Sequence, residues 1–273
     1  MGDSAIHTTV AITHVPSPRM EQCRVTYVPR APIDFGLALK QHQQYCRMLA
    51  ECGADVRTLD VNRQRPDCVF IEDTAVVLDE VAVLASMGAE SRRDEPGQIE
   101  PELRRYRPID RIQPPATLEG GDVLRLGRTL LVGLAARTNQ AGIAALAAIA
   151  GPHGYRVTPV PVRNCLHLKS ACGALTEQTL LVNPAWLDVS ALRGFQLIRV
   201  PEEEPRAANL LRLHGYVCMA ANHVRTADML SRTGADIRTI DLSEFAKAEG
   251  GVTCLSLLFD PAERGFRPQP IRE

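Results

Sequence analysis

ECGADVRTLD, residues 51–60, and RTGADIRTID, residues 232–241, are near copies of one another, and their reading decides the fold. Each follows a helical pattern, over 37–51 in the first case and 224–233 in the second. Gly53 and Gly234 stand near the helix ends, where a left-handed cap suits glycine. Each stretch then runs into a short strand with β-branched residues at alternate positions, Val56 and Thr58 or Ile237 and Thr239. Looser copies occur at 153–160 (HGYRVTPV), 194–200 (GFQLIRV) and 106–112 (YRPIDRI). The copies recur about every 40 to 55 residues, a period that marks radial or stacked repeats.

Further strands fall between the copies. The segments 68–71, 75–78 and 81–86 precede one helix, 123–126 and 129–132 precede a helix at 139–150, and 180–183 and 217–220 look similar. The implied unit is strand, strand, helix, strand, repeated five times. A ring of five short-sheet blades with a site at its centre fits that count. An ordinary doubly wound α/β sheet uses the same local pattern and stays open as the alternative. The loop-like stretches 88–98, 107–121 and 201–206 are too short to be linkers, so residues 1–273 are expected to form a single domain.

Composition excludes several classes of function. A formal net charge of -1 offers no basic excess for a phosphate backbone, and 4% aromatic residues offer few platforms for base stacking. No nucleic-acid partner is therefore expected. No apolar run reaches the length of about 18 residues that a membrane span needs. The opening MGDSAIHTTVAIT lacks a basic flank and apolar stretch, and Ile6 stands where a myristoylation motif wants Ser or Thr. A cytoplasmic location is the expectation. The eight cysteines show no CxxC spacing and read as free thiols of a reducing compartment. Cys165 and His167 alone cannot close a structural zinc site, which takes four ligands.

Four groups of residues could carry chemistry. Cys254 follows Gly250 and Gly251, a turn that lets backbone approach a ligand and aims the next side chains. It is a candidate nucleophile or a buried strand cysteine. His167, beside Cys165, is a candidate proton shuttle or a core histidine between two leucines. Glu119 and Asp122 flank a glycine pair, and Glu72 and Asp73 end a strand, where unpaired acids are costly to bury. A cationic ligand would remove that cost. Arg92, Arg93 and Arg137 lie in loops, and their forked donors suit a carboxylate. Together these pieces describe an amino acid with a cationic tail, attacked at carbon.

The motifs FIEDTAVV, GAESRR, LEGGD, ARTN, LHLKS and GGVTCLSL, in this order, resemble those of the dimethylarginine dimethylaminohydrolase family of guanidine-modifying enzymes. The resemblance runs from about residue 35 to residue 259. It implies an α/β fold, a five-bladed propeller of repeated ββαβ modules with pseudo-fivefold symmetry. It implies hydrolysis of asymmetric dimethylarginine or monomethylarginine to citrulline and a methylamine, without a cofactor, through a covalent thiouronium on the cysteine. By motif, Cys254 would be the nucleophile and His167 the acid and base. Glu119 and Asp73 would hold the guanidinium, with Glu72 beside them. Arg92 and Arg137 would hold the carboxylate, and Asp67 and Phe70 would line the pocket. Zinc at the Cys254–His167 pair would be an inhibitor and no functional metal. The loop 18–28 should fold over the substrate, yet it and the stretch 220–223 depart from the family pattern. The expected partner is a small methylated arginine, with homodimerisation left open. The readings kept beside this one are a hydrolase of arginine or of citrulline, an amidinotransferase, and a non-catalytic propeller that only binds.

Overall fold

The computed structural model describes residues 9–261. Its strands form five separate three-stranded sheets. The first sheet contains β1 (Val10–His14) and, after helix α1 (Phe35–Glu51), strand β2 (Asp55–Leu59). The second has β3 (Ala75–Val77), β4 (Ala82–Leu84), helix α2 (Glu95–Leu103) and β5 (Ile109–Arg111). The third has β6 (Val123–Leu126), β7 (Thr129–Leu134), helix α3 (Gln140–Ala150) and β8 (Arg156–Pro161). The fourth opens with the single turn α4 (Leu168–Ala171), followed by β9 (Cys172–Ala174), β10 (Thr179–Val182) and β11 (Gln196–Arg199). The fifth has β12 (Leu210–Leu213), β13 (Tyr216–Ala220), helix α5 (Val224–Ser231) and β14 (Asp236–Ile240). The short helix α6 (Ser243–Ala246) then leads to β15 (Ser256–Phe259), which returns to the first sheet.

In every blade the middle strand pairs antiparallel with the inner strand and parallel with the outer one. The middle strands are the most apolar and most buried, as strands covered on both faces must be. The outer strands are half exposed. Pairing of β1 with β15, Val10 opposite Phe259 through Thr13 opposite Ser256, joins the two ends of the described chain and closes the ring. The five inner strands line an axial cavity of about 270 Å³.

All five copies read from the sequence are outer strands, β2, β5, β8, β11 and β14. Gly53 and Gly234 have φ of 94° and 88°, the left-handed geometry their positions required. Three expectations are corrected. Residues 68–71 form no strand, because the chain turns there and enters a 3-10 turn at Ile71–Thr74. The stretch 88–98 is not all loop: α2 starts at Glu95, with Pro96 in its first turn, where a missing N–H does no harm. The fourth blade lacks a crossover helix and uses a 3-10 turn, Val189–Leu192.

Helix α1 ties the ring closure to the axis. Its N-cap Asp34 accepts from the Leu37 N–H at 2.9 Å, and it buries Ala38, Tyr45 and Leu49. The Tyr45 hydroxyl reaches through the core to Val252 O at 2.8 Å and Ser256 Oγ at 2.7 Å, on either side of Cys254. Tyr45→Phe leaves a buried carbonyl unpaired, so urea unfolding should show a loss of about 1–3 kcal/mol. An unchanged midpoint would mean that the hydroxyl holds nothing.

Candidate active site

Each blade's inner strand is preceded by a turn at the same end of the ring, and these turns carry the reactive side chains. Ile71–Thr74 before β3 presents Glu72 and Asp73, and Glu119 with Gly120–Asp122 lies before β6. His167 and α4 lie before β9, Asn209 before β12, and the turn with Thr253 and Cys254 before β15. Residues far apart in sequence thus meet on one axis. The turns interlock at backbone distance. A Cβ on Gly120 would sit 2.0 Å from Glu72 O, and one on Gly121 2.6 Å from His167 Nδ1 and 2.7 Å from Asp73 Oδ1. Only glycine fits there, which explains the pair in LEGGD.

A tight cavity of about 20 Å³ lies at this end of the axis, and Cys254, His167, Asp73, Asp67, Phe70, Arg92 and Arg137 all line it. These are seven of the nine residues to which the resemblance gives a place in the site. The other two, Glu119 and Glu72, lie off it. Glu119 is fully buried behind His167. Its oxygens accept from His167 Nε2 at 2.8 Å, from the Gly88 and Ala89 N–H groups at 3.1 and 3.3 Å, and from Arg137 at 3.4 Å. It orients the histidine and has no oxygen left for a guanidinium, a correction to its expected role. Glu72 takes Lys169 Nζ at 2.6 Å and Thr253 Oγ1 at 2.9 Å. Together with Lys169 it lines the larger axial cavity and not the one at Cys254.

Asp73 keeps one oxygen free. Its Oδ2 accepts from Arg92 at 2.6 Å, while Oδ1, buried and 3.7 Å from His167 Nδ1, has no hydrogen-bond partner among the described residues. Arg92, 1% exposed, donates also to Glu95 Oε2 through Nε and Nη2, at 3.0 and 2.9 Å, and to Phe70 O at 2.9 Å. One Nη1 hydrogen of its five remains for a ligand. Arg137 holds Glu119 with Nη1, and its buried Nη2 has no partner among the described residues. Asp67 accepts the Arg24 N–H at 3.2 Å.

One acid named in the sequence without a role, and one residue missed there, complete the site. Asp122, the last residue of LEGGD, is fully buried and accepts from Leu168 N–H at 2.9 Å and Thr138 Oγ1 at 2.6 Å, so it fixes the backbone next to His167. Its place after the glycine pair marked it in the sequence, where its role stayed unassigned, and Glu249 is the residue missed. Glu249 lines the same cavity as Cys254 and bonds the Thr26 and Tyr27 N–H groups. An acid immediately before the Gly250–Gly251 turn was its only signal.

The charges act on one another. Burial would lower the His167 pKa, but Asp73, Asp122 and Glu119 overcome it and raise it to about 9. Glu119 is driven the other way: burial would raise it, yet its bond to His167⁺ and the nearby Arg137 and Arg92 lower it to about 2. Burial raises Asp122 to about 6. Burial, with Glu72 and Asp73 close by, pushes the Cys254 thiol up to about 12. Gly251 N–H, 3.4 Å from Sγ, is the backbone donor aimed at the sulfur. The side chains that converge as possible metal ligands are Asp73, Glu119 and His167, within 4.8 Å of one another. Cys254 is not among them, and Glu119 already bonds His167. All eight cysteines are free, and no helix among the described residues is long and apolar enough to cross a membrane.

The raised His167 pKa makes stability depend on pH. Its contribution is complete below the ordinary 6.5 and is lost as pH rises through about 9. Asp122 changes stability in the same direction between its ordinary 3.8 and about 6. Glu119 contributes above 4.5 and loses its effect as pH falls toward about 2. The thermal midpoint should therefore decline from pH 6.5 to 9, and His167→Gln should flatten that decline. A flat profile in the native protein would contradict the His167 assignment.

A family model described as "N,N dimethylarginine dimethylhydrolase, eukaryotic" matches residues 33–255. The N(G),N(G)-dimethylarginine dimethylaminohydrolase of Streptomyces coelicolor is 41% identical over 249 residues, covering 90% of this chain and 95% of that protein. The enzyme of the same name from Pseudomonas aeruginosa is 36% identical, with coverages of 83% and 90%. A cysteine-to-serine variant of the Pseudomonas aeruginosa protein, solved in complex with citrulline, superposes with a TM-score of 0.85 at 33% identity, covering 91% of this chain and 98% of that one. A histidine-to-glycine variant of a dimethylarginine dimethylaminohydrolase, solved as an adduct with S-methyl-L-thiocitrulline, gives a TM-score of 0.87 at the same identity and coverages. The N-terminal domain of a cyanobacterial arginine dihydrolase shares the fold, with a TM-score of 0.80 at 22% identity over 92% of this chain and 97% of that domain.

Proposed function

We propose how this chain, which belongs to the dimethylarginine dimethylaminohydrolase family and hydrolyses a C–N bond of methylated arginine to give citrulline, carries out that reaction: Cys254 attacks the guanidinium carbon and His167 moves the protons. Hydrolysis in this family needs no cofactor. The observation that carries the proposal is the cavity itself. One enclosed space is faced by a thiol, an imidazole and a carboxylate oxygen without a partner, with a spare guanidinium nitrogen of Arg137 at its edge.

The free Asp73 Oδ1 accepts from the substrate guanidinium and keeps it charged, which keeps its carbon electrophilic. Arg137, with the remaining hydrogen of Arg92, takes the substrate carboxylate. Before binding, Cys254 is a thiol, raised by burial and then by Glu72 and Asp73, and His167 is an imidazolium, raised by Asp73, Asp122 and Glu119 against its burial. The arriving cation cancels that negative field. The thiol loses its proton to solvent and the sulfur adds to carbon, giving a neutral tetrahedral adduct. Protonated His167 gives its proton to the departing dimethylamine or methylamine nitrogen as that C–N bond breaks, leaving a cationic S-thiouronium. Neutral His167 then takes a proton from water as its oxygen bonds to carbon. Collapse of this second adduct expels the sulfur and forms the ureido C=O of citrulline, the adduct's hydroxyl proton leaving to solvent and the sulfur taking one back to restore the thiol. This is covalent catalysis with one base used twice. Glu119 acts by holding His167 through Nε2.

The test incubates purified protein with asymmetric dimethylarginine and, in parallel, with arginine, and measures citrulline. Citrulline is expected from the methylated substrate alone. Cys254→Ser should lose at least about 10³-fold in kcat while keeping the native unfolding midpoint. Citrulline from arginine instead would assign deimination, and near-native turnover in Cys254→Ser would remove the cysteine from the mechanism.

A further inference from the structure

The cavity beside Cys254, at about 20 Å³, has space for little more than a water molecule. A methylated arginine is many times larger, so a wall must move. Most walls are axial turns built into the ladders of the inner strands. The exception is Arg24, the first residue of the segment 24–33. Among the described residues, no backbone group of this segment bonds another backbone group. Val25 and Ile33 rest half-buried on the core, while Arg24, Thr26, Tyr27, Pro29, Arg30 and Pro32 are exposed.

Carboxylates hold this strap in place of a ladder. Arg24 N–H donates to Asp67 Oδ1 at 3.2 Å. Thr26 N–H donates to Glu249 Oε2 at 2.6 Å and Tyr27 N–H to Glu249 Oε1 at 2.5 Å. Beyond the far end, Asp34 N–H donates to Glu244 Oε2 at 2.8 Å. Asp67 and Glu249 also line the cavity. Glu249 has φ of 63°, a left-handed backbone that a residue with a long side chain rarely adopts. That backbone leads into Gly250, where a Cβ would lie 2.4 Å from the Phe70 ring. The strained turn thus sets Glu249 beside the strap and Cys254 beside the cavity.

We infer that Glu249 is a positioning residue, a latch whose two oxygens hold the strap 24–33 shut over the cavity, and that access to Cys254 requires Thr26 and Tyr27 to leave it. Two charge-assisted bonds on one carboxylate are strong enough to keep the strap closed and few enough to break together. The inference rests on the reading of the cavity as the catalytic site, but its test does not depend on turnover.

Hydrogen–deuterium exchange of the full chain reads the strap directly. In Glu249→Gln, and in Glu249→Gly, which keeps the left-handed turn, amides over 24–28 should exchange about tenfold faster. Peptides over β4 and β13 should keep their native rates. Thr26→Pro cuts one of the same bonds from the strap side and leaves the Glu249 charge intact. It should speed alkylation of Cys254 by iodoacetamide about severalfold, the effect expected from losing one such bond. Exchange within about twofold of native over 24–28 in both Glu249 variants would overturn the latch, because losing such bonds must be felt there. Native alkylation rates in Thr26→Pro would overturn it equally. If the native protein released no citrulline while the exchange result held, the substrate reading alone would fail.

Discussion

The structure depends on more negative charge at the ring axis than its own cations balance. Asp67, Glu72, Asp73, Glu95, Glu119 and Asp122 are all buried there. Facing them are Arg92, Arg137, the half-buried Lys169 and His167. An isolated buried carboxylate is costly enough that it either finds donors or takes a proton. Most of these find donors: Glu119 has four, Asp122 a hydroxyl and a backbone N–H, and Glu72 a lysine and a threonine. Asp73 Oδ1 does not. The remaining deficit makes the cavity a place for a cation. Asp73, Asp122 and Glu119 hold a proton on His167, while burial, with Glu72 and Asp73 close by, holds one on Cys254.

The ring makes this concentration of charge possible. Five inner strands start at one end of the axis, so five turns converge there, and each contributes one or two side chains. The close approach requires small residues, and Gly120, Gly121, Gly250 and Gly251 supply it. The Glu72–Lys169 pair lines the larger cavity that the inner strands enclose and not the one at Cys254. The strap bonds two acids, Asp67 and Glu249, that line the cavity at Cys254.

Much of this was legible in the chain. Gly53 and Gly234, each followed by alternating β-branched residues, marked outer strands, because a left-handed helix end and a period of two are local properties. The order of six motifs marked the family and brought Cys254, His167, Asp73, Asp67, Phe70, Arg92 and Arg137 to one cavity. Less legible were strands too short to show a period, such as β9, and the strand expected at 68–71. There the chain turns so that Phe70 and Asp73 can face the axis.

By itself the sequence determined the repeat, the blade strands and the types of reactive group, since these follow from periodicity, turn chemistry and residue identity near each position. Only the tertiary structure decided which acid does what. Glu119 and Glu72 look as fit as Asp73 to bind a guanidinium until their donors are seen, and those donors come from other blades: His167 and Arg137 for the one, Lys169 and Thr253 for the other. The partnership of Glu249 with a strap more than two hundred residues away is of the same kind. A carboxylate's role is set by which hydrogen-bond donors occupy its oxygens, and contacts across the ring supply them.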